Sequence, residues 1–423
     1  MASTHLHTPF LFGRAALTLA GLCAILASTG CNNTYEVPPG TFHGHVEAPD
    51  APLELTPAPL ETPTPAMSAA AASSTDMVAT ATPPTSDAVL QIMRKAADWQ
   101  LINPTVDPET GWVYAAFYDG AVALAKINGD SKYFDLMMSQ GLKNRWRLGD
   151  HTYNADDHAV AQLYLDLYEL KKAPEMVQAT RQRFDEILDY PKDDNLDYAR
   201  ADRNDRWSWC DSLFMDPPAW ARLSKVTGDP RYLDSADRRW WVTSAYLYDK
   251  DEHLYYRDST YFTKREANGQ KIFWSRGNGW VLAGLARLLD AMPAEYPDRA
   301  KFVKQFREMA ERVKSLQQAD GLWRTGLLDP ASHPQKETSG SGFFTYALAW
   351  GVNQSILDRA EYSPVVFKGW NALMQCVQPD GKLIHVQPVG AAPSGFNENS
   401  STPYGVGALL LAGSEVFKMV DGK

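Results

Sequence analysis

The sequence predicts an all-α protein, an (α/α)6 barrel in which six helical hairpins close into a two-layer toroid. Three observations carry that prediction. Twelve segments beyond residue 87 place apolar residues at three-to-four spacing. Several of these are weakly charged on every face, as helices enclosed by other helices must be. The connectors also repeat: Gly129-Asp130-Ser131-Lys132-Tyr133-Phe134-Asp135 echoes Gly228-Asp229-Pro230-Arg231-Tyr232-Leu233-Asp234, and Gln318-Ala319-Asp320-Gly321 echoes Gln378-Pro379-Asp380-Gly381. A repeated connector implies a repeated hairpin, and twelve helices make six; an open helical solenoid is the alternative.

Taken in order, the helical runs are 88–99, 115–126, 133–146, 159–170, 179–188, 213–225, 232–246, 281–289, 300–317, 343–352, 362–374 and 406–419. Everything before them reads differently. Arg14 followed by the apolar stretch Ala15 to Ala27 and by Ser28-Thr29-Gly30-Cys31 has the order of an export signal, residues 1–31. It resembles a bacterial lipoprotein signal in which Cys31 is lipidated, although Ser28 stands where an aliphatic residue is usual; ordinary cleavage nearby is the alternative. Residues 32–87 are rich in Pro, Ala, Thr and Ser without apolar periodicity, the composition of a disordered tether. The folded unit is therefore expected over residues 88–423, exported to the periplasm or cell surface and touching a membrane only through an N-terminal lipid.

Charge and composition narrow the function. A net charge of −10 excludes a basic nucleic-acid footprint. Thirteen Trp and 19 Tyr suit a carbohydrate cleft, though a helical core also consumes aromatics. With Cys23 and Cys31 in the leader, only Cys210 and Cys376 remain, too few for a disulfide framework, and no Cys/His spacing suggests a metal site.

The chemistry-bearing residues fall in four motifs. Trp274-Ser275-Arg276-Gly277-Asn278-Gly279-Trp280 sets two indoles, a guanidinium and an amide ahead of an apolar run. Indole faces stack on pyranose rings, Arg pairs with a carboxylate and Asn exchanges hydrogen bonds with hydroxyls, so the set matches a uronic acid. A Trp-rich core with a structural Arg is the competing reading. Asp156, in Asn154-Ala155-Asp156-Asp157-His158, and Asp211, in Trp207-Ser208-Trp209-Cys210-Asp211, each stand just before an inner-type helix. Each can be a plain N-cap. If inner helices start at one rim, however, the two carboxyls converge on a single funnel. Asp211, flanked by Trp207 and Trp209, is then the desolvated proton donor, Asp156 its ionised or hydrogen-bonding partner, and Asp157 the cap that frees Asp156. His158 reads as support more readily than as a catalyst. Residues 337–342, Glu-Thr-Ser-Gly-Ser-Gly, offer hydroxyls and N–H groups at a helix start, for an anion or for capping.

Together, N-A-D-D-H, W-C-D-S-L-F-M, W-S-R-G-N-G-W and E-T-S-G-S-G-F-F-T-Y-A-L resemble the unsaturated glycosyluronic hydrolases of glycoside hydrolase family 105, relatives of family 88, over residues 88–423. The resemblance implies the (α/α)6 barrel and removal of a 4,5-unsaturated uronic acid from the non-reducing end of a lyase-made oligosaccharide. The reaction implied is hydration of the enol ether: protonation of C4, addition of water at C5 and collapse of the hemiketal. It implies Asp211 as general acid/base and Asp156 as second carboxylate. Arg276, Trp274, Trp280, Asn278, Ser339 and Tyr114 are implied around the sugar, with Trp209 and His158 beside them. No metal or organic cofactor is required. The chain departs from some relatives at Tyr255-Tyr256-Arg257-Asp258, where they carry a His-Gly step. Inverting hydrolysis, uronate lysis, and glycan capture without catalysis are the other functions that such a pocket allows.

Overall fold

The computed structural model describes residues 81–129 and 131–422. Cys31, the signal, the tether up to residue 80 and Asp130 of the first connector lie outside the described residues. All twelve expected runs are helical. In order the elements are α1 (Ser86–Ile102), α2 (Trp112–Asn128), α3 (Lys132–Lys143), α4 (Ala155–His158), α5 (Ala161–Lys171), α6 (Glu175–Asp189), α7 (Ser212–Met215), α8 (Pro217–Thr227) and α9 (Pro230–Leu247). A small hairpin of β1 (Tyr248–Asp249) and β2 (Leu254–Tyr255) follows, then α10 (Ser275–Ala291), α11 (Arg299–Ser315), α12 (Thr338–Asn353), α13 (Arg359–Gln375) and α14 (Pro403–Asp421).

The packing closes. α2, α5, α8, α10, α12 and α14 each touch the next, and α14 returns to α2, while α1, α3, α6, α9, α11 and α13 lie outside them. This is the (α/α)6 toroid rather than the open solenoid. The division follows polarity: α12 buries every residue from Thr338 to Val352, whereas α11 buries only a stripe containing Phe302, Phe306, Met309 and Val313. Inner helices approach closely where side chains vanish. A methyl on Gly284 of α10 would overlap the Leu213 carbonyl of α7, and one on Gly407 of α14 would overlap the Ala116 carbonyl of α2. The repeated connectors are structural repeats too. Gly129 and Gly228 end α2 and α8 at φ 76° and 74°, and in both Gln-x-Asp-Gly turns the Gly donates its N–H to the Gln carbonyl at 3.0 or 2.9 Å.

Several boundaries differ from expectation for identifiable reasons. α1 begins at Ser86 because the Thr85 hydroxyl accepts the Ala88 N–H at 3.2 Å, so the last residues assigned to the tether belong to a capped helix. The run 213–225 is two helices, because Pro217 and Pro218 start a new one and Asp216 sits at the break with φ −113° and ψ −54°. The W-S-R-G-N-G-W motif does not precede its helix: Trp274 is the N-cap of α10 and the remainder forms its first turns. About three turns further along α10, Arg287 enters a buried network with Asp119 of α2 and Asp166 of α5. Arg222 of α8 also pairs with Asp166, tying four inner helices together.

Candidate active site

Four inner-helix beginnings share one rim. α4 packs against α7. A Cβ on Gly277, in the first turn of α10, would lie 3.0 Å from the Cys210 sulfur just before α7, and one on Gly340 of α12 would press on Ser275 and Arg276 of α10. Asp156 and Asp211 therefore face the same space. Neither acts as a cap. The Asn154 side chain caps α4 by accepting the Asp156 N–H at 3.1 Å, and no side chain caps α7. Asp157 is not the cap either, since its carboxylate holds the His151 backbone N–H at 2.6 Å and the His151 ring at 2.7 Å.

The two carboxyls have different surroundings. Among the described residues the Asp156 carboxylate has no hydrogen-bond or ion-pair partner. Burial, and then the Asp211 charge, push it up to about 7, against relief from Arg257. Asp211 is also raised by burial, but Arg257 and then Arg276 pull against it, with Arg257 Nε 3.8 Å and Cys210 Sγ 3.4 Å from its Oδ2. The sequence reading made Asp211 the proton donor and Asp156 its ionised or hydrogen-bonding partner. In the ligand-free protein burial raises both carboxyls, and two guanidinium groups oppose the rise at Asp211 where Arg257 alone does so at Asp156.

This yields a prediction. The folded-state value of Asp156, about 7, exceeds its ordinary 3.8 by about three units. Ionisation thus disfavours the fold: nothing is lost below about pH 4, stability falls as pH rises toward 7, and the full loss persists above. Three units correspond to at most ~4 kcal/mol, or about 1–2 kcal/mol once the half-buried carboxyl's solvent contact is discounted. Asp156→Asn should therefore be more stable than the wild type at pH 8 and indistinguishable at pH 4. Denaturant unfolding at both pH values reads this directly, and a variant no more stable at pH 8 would refute it.

Most of the other site residues expected from sequence are placed as supports. His158 is fully buried, with Nε2 2.9 Å from the Thr152 carbonyl and Nδ1 3.0 Å from Asp216, so it cannot reach a sugar. Trp280 lies at the centre of an aromatic cluster, its ring centroid 4.1 Å from Phe343 and 4.7 Å from Phe214. Asn278 spends its amide on the Tyr255 N–H and on the Tyr255 and Trp274 carbonyls, holding β2 against α10. Ser339 donates to Glu337, whose carboxylate also accepts the Ser339 and Gly340 N–H groups at 2.8 and 2.7 Å. The helix start offered for an anion is already occupied by a side chain of the protein itself. Tyr114 turns its hydroxyl to Thr105, accepting that residue's N–H at 2.8 Å.

Arg276 and Trp274 are also enclosed. The guanidinium is 1% exposed, donates to the Gln387 and Pro388 carbonyls, and is stacked between Trp274 at 4.4 Å and Tyr404 at 4.9 Å. The Trp274 N–H goes to Gln387 Oε1 at 2.8 Å. The motif thus clamps the 386–402 loop over the rim instead of offering free ring faces. Trp209, two residues before Asp211, is buried.

Sequence reasoning passed over two groups. Arg257 was marked only as a departure, yet its guanidinium lies beside Asp211 and over Tyr198 at 4.7 Å. Trp112, the first residue of α2, is half-buried and stacks on Tyr404 with centroids 5.3 Å apart. Its place at an inner helix start was the available signal. A separate cavity of about 640 Å3 between residues 189–207 and α9 does not contain the carboxyl pair, and its Lys192 and Arg238 are already paired with Asp205 and Asp194.

The model of Glycosyl Hydrolase Family 88 matches residues 71–420. This chain belongs to that family. An unsaturated 3S-rhamnoglycuronyl hydrolase from Formosa agariphila is 40% identical over 342 residues, 78% of this chain and 90% of the relative. The solved structure of a family 88 glycosyl hydrolase from Bacteroides vulgatus superimposes with a TM-score of 0.73 at 31% identity, over 79% of this chain and 99% of that one. A structure named as a polysaccharide lyase does so with the same TM-score at 32% identity, over 80% and 99%. As a family 88 glycoside hydrolase, the enzyme needs a proton donor and a group to manage water, and the rim carries two carboxyls that no cap or ion-pair partner consumes outright. Among the described residues no cluster of side chains fits a metal ion.

Proposed function

We propose that this family 88 enzyme removes a 4,5-unsaturated uronic acid from the non-reducing end of lyase-generated oligosaccharides by hydrating its double bond. The observation that carries the reading is the convergence of Asp156 and Asp211 on one desolvated rim. An enol ether needs one strong proton donor and one water, with charge spread over an oxocarbenium-like cation, and does not need opposed carboxyls at a fixed separation. In the proposed cycle Asp211 gives its proton to C4. Water adds at C5 and loses a proton to the Asp211 carboxylate, and the hemiketal collapses to release the next sugar. Asp156 shares the resting proton with Asp211.

The relatives' names point to unsaturated 3S-rhamnoglycuronyl oligosaccharides as the first substrates to try. One assay tests the reading: the ultraviolet absorbance of an unsaturated uronyl disaccharide. Hydration removes the conjugated double bond and the absorbance falls. A rise on intact polymer marks a lyase, the reading that the name of one structural relative keeps open, and a flat trace marks glycan capture alone.

We further propose export and lipid attachment at Cys31, supported by the charged, apolar and small-residue order of residues 14–31. The expected result is a membrane-fraction protein whose N-terminal peptide begins at Cys31 with added acyl mass. Cys31→Ser should release it to the soluble fraction; an unmodified wild-type Cys31 in mass spectra would refute the anchor.

A further inference from the structure

A uronate that enters this rim brings a negative charge to a place already holding two carboxyls, and it cannot be buried there without a cation. Arg276 keeps a buried Nε–H without an acceptor, but both its terminal nitrogens donate to main-chain carbonyls and aromatic rings cover its faces, so it is the less available of the two guanidinium groups. Arg257 is built for the task. Its carbonyl accepts the Cys210 N–H at 2.8 Å, fixing its register one residue from Asp211. Nη1 donates to Asp258 at 2.8 Å and the guanidinium plane lies over Tyr198, so the side chain is already ordered. Its Nε–H is buried without a hydrogen-bond acceptor, at 3.8 Å from Asp211, beyond hydrogen-bond reach. A buried donor left unpaired beside the reacting groups is a place for a ligand oxygen.

We propose that Arg257 receives the carboxylate of the incoming uronate, exchanging its charge partner from Asp211 to the substrate. The inference rests on the function proposed above and adds the origin of the proton. Arg257, Arg276 and Cys210 face Asp211; Asp211, Arg257 and Asp157 face Asp156; Asp258 and Tyr198 face Arg257. Once the uronate neutralises Arg257, the Asp211 carboxylate is left buried with weaker compensation and takes up a proton from solvent. That proton then goes to C4, and the water that adds to C5 returns one to Asp211. Substrate binding thus arms the acid, and a neutral sugar in the same space does not.

Glucuronate, which has no double bond to hydrate, separates binding from reaction. Calorimetric titration at pH 7 in two buffers of different ionisation enthalpy reads both its affinity and the protons taken up. The wild-type enzyme should bind it with uptake of up to one proton. Asp211→Asn should bind without uptake. Arg257→Gln should bind at least about tenfold more weakly and without uptake, whereas Arg257→Lys, which keeps the charge, should recover part of the affinity. Melting curves of both Arg257 variants identify any that fails to fold, and the lysine variant then carries the comparison. Absence of glucuronate binding to the wild type, binding without proton uptake, or wild-type behaviour in Arg257→Gln would each overturn the proposal. Bleaching of the unsaturated disaccharide by the wild type is judged separately: its loss sinks the proposed function, while bleaching without proton-linked glucuronate binding sinks only the role of Arg257.

Discussion

Asp211→Asn is expected to abolish the fall in absorbance of an unsaturated uronyl disaccharide, with kcat reduced by about 10³-fold or more and the helical circular dichroism unchanged. The size follows from the chemistry. General acid catalysis alone contributes roughly 10²–10⁴-fold, and the same carboxyl is used a second time when water adds. The fold should survive because Asp211 caps no helix with its side chain, and among the described residues its carboxyl is bound by the Cys210 thiol and faced by the Arg257 guanidinium at 3.8 Å. Asn keeps the shape and removes the proton. Wild-type turnover in this variant would remove Asp211 from the reaction and leave Asp156, whose carboxyl holds its proton up to about pH 7, as the donor.

Asp216→Ala should have the largest effect on stability, about 3–5 kcal/mol. This fully buried carboxylate lies at the break between α7 and α8. It accepts the indole N–H groups of Trp207 and Trp220, both at 2.8 Å, pairs with His158 at 3.0 Å, and faces Arg239 at 3.6 Å. Burial alone would raise it, but His158, Arg239 and Trp207 together hold it below the usual carboxylate range. Its depressed folded-state value means that its contribution is fully present above about pH 4 and is lost as pH falls through the lower value. Alanine leaves a buried guanidinium and two indole donors without their acceptor, so the melting temperature should drop on the order of 5–10 °C at pH 7. The difference between variant and wild type should shrink in acid. A melting temperature within a degree of wild type would show that the carboxylate is dispensable.

The two experiments separate two kinds of aspartate that look alike in the chain. Asp156, Asp211 and Asp216 all stand at the start of short helical pieces, and helix-capping statistics treat them equally. Their difference is one of partners. Asp216 has four, supplied by α4, α8, α9 and the segment before α7; Asp211 has a guanidinium held just out of hydrogen-bond range, and Asp156 has none. The stability that Asp216 contributes holds the broken α7–α8 helix in place.

The helical periods, the apolar inner helices and the repeated Gly-Asp and Gln-x-Asp-Gly connectors were enough to determine the toroid. Periodicity and turn chemistry are local properties, and only a closed double layer buries six helices on all sides. The two catalytic candidates were legible for the same reason, since inner helices of a toroid begin at one rim. Which of the remaining motif residues touch a ligand was decided by the tertiary structure alone. Trp280, Asn278 and His158 have the side chains of a sugar site, but partners distant in sequence, from Phe343 and Tyr255 to Asp216, already occupy their faces and hydrogen bonds, while Ser339 and Tyr114 are taken by the nearby Glu337 and Thr105. Arg276 is likewise closed off by a loop more than a hundred residues away, and Arg257 is set beside Asp211 by a single backbone hydrogen bond to Cys210. Composition tells what a side chain can bind; only three-dimensional packing decides whether the protein has already bound it.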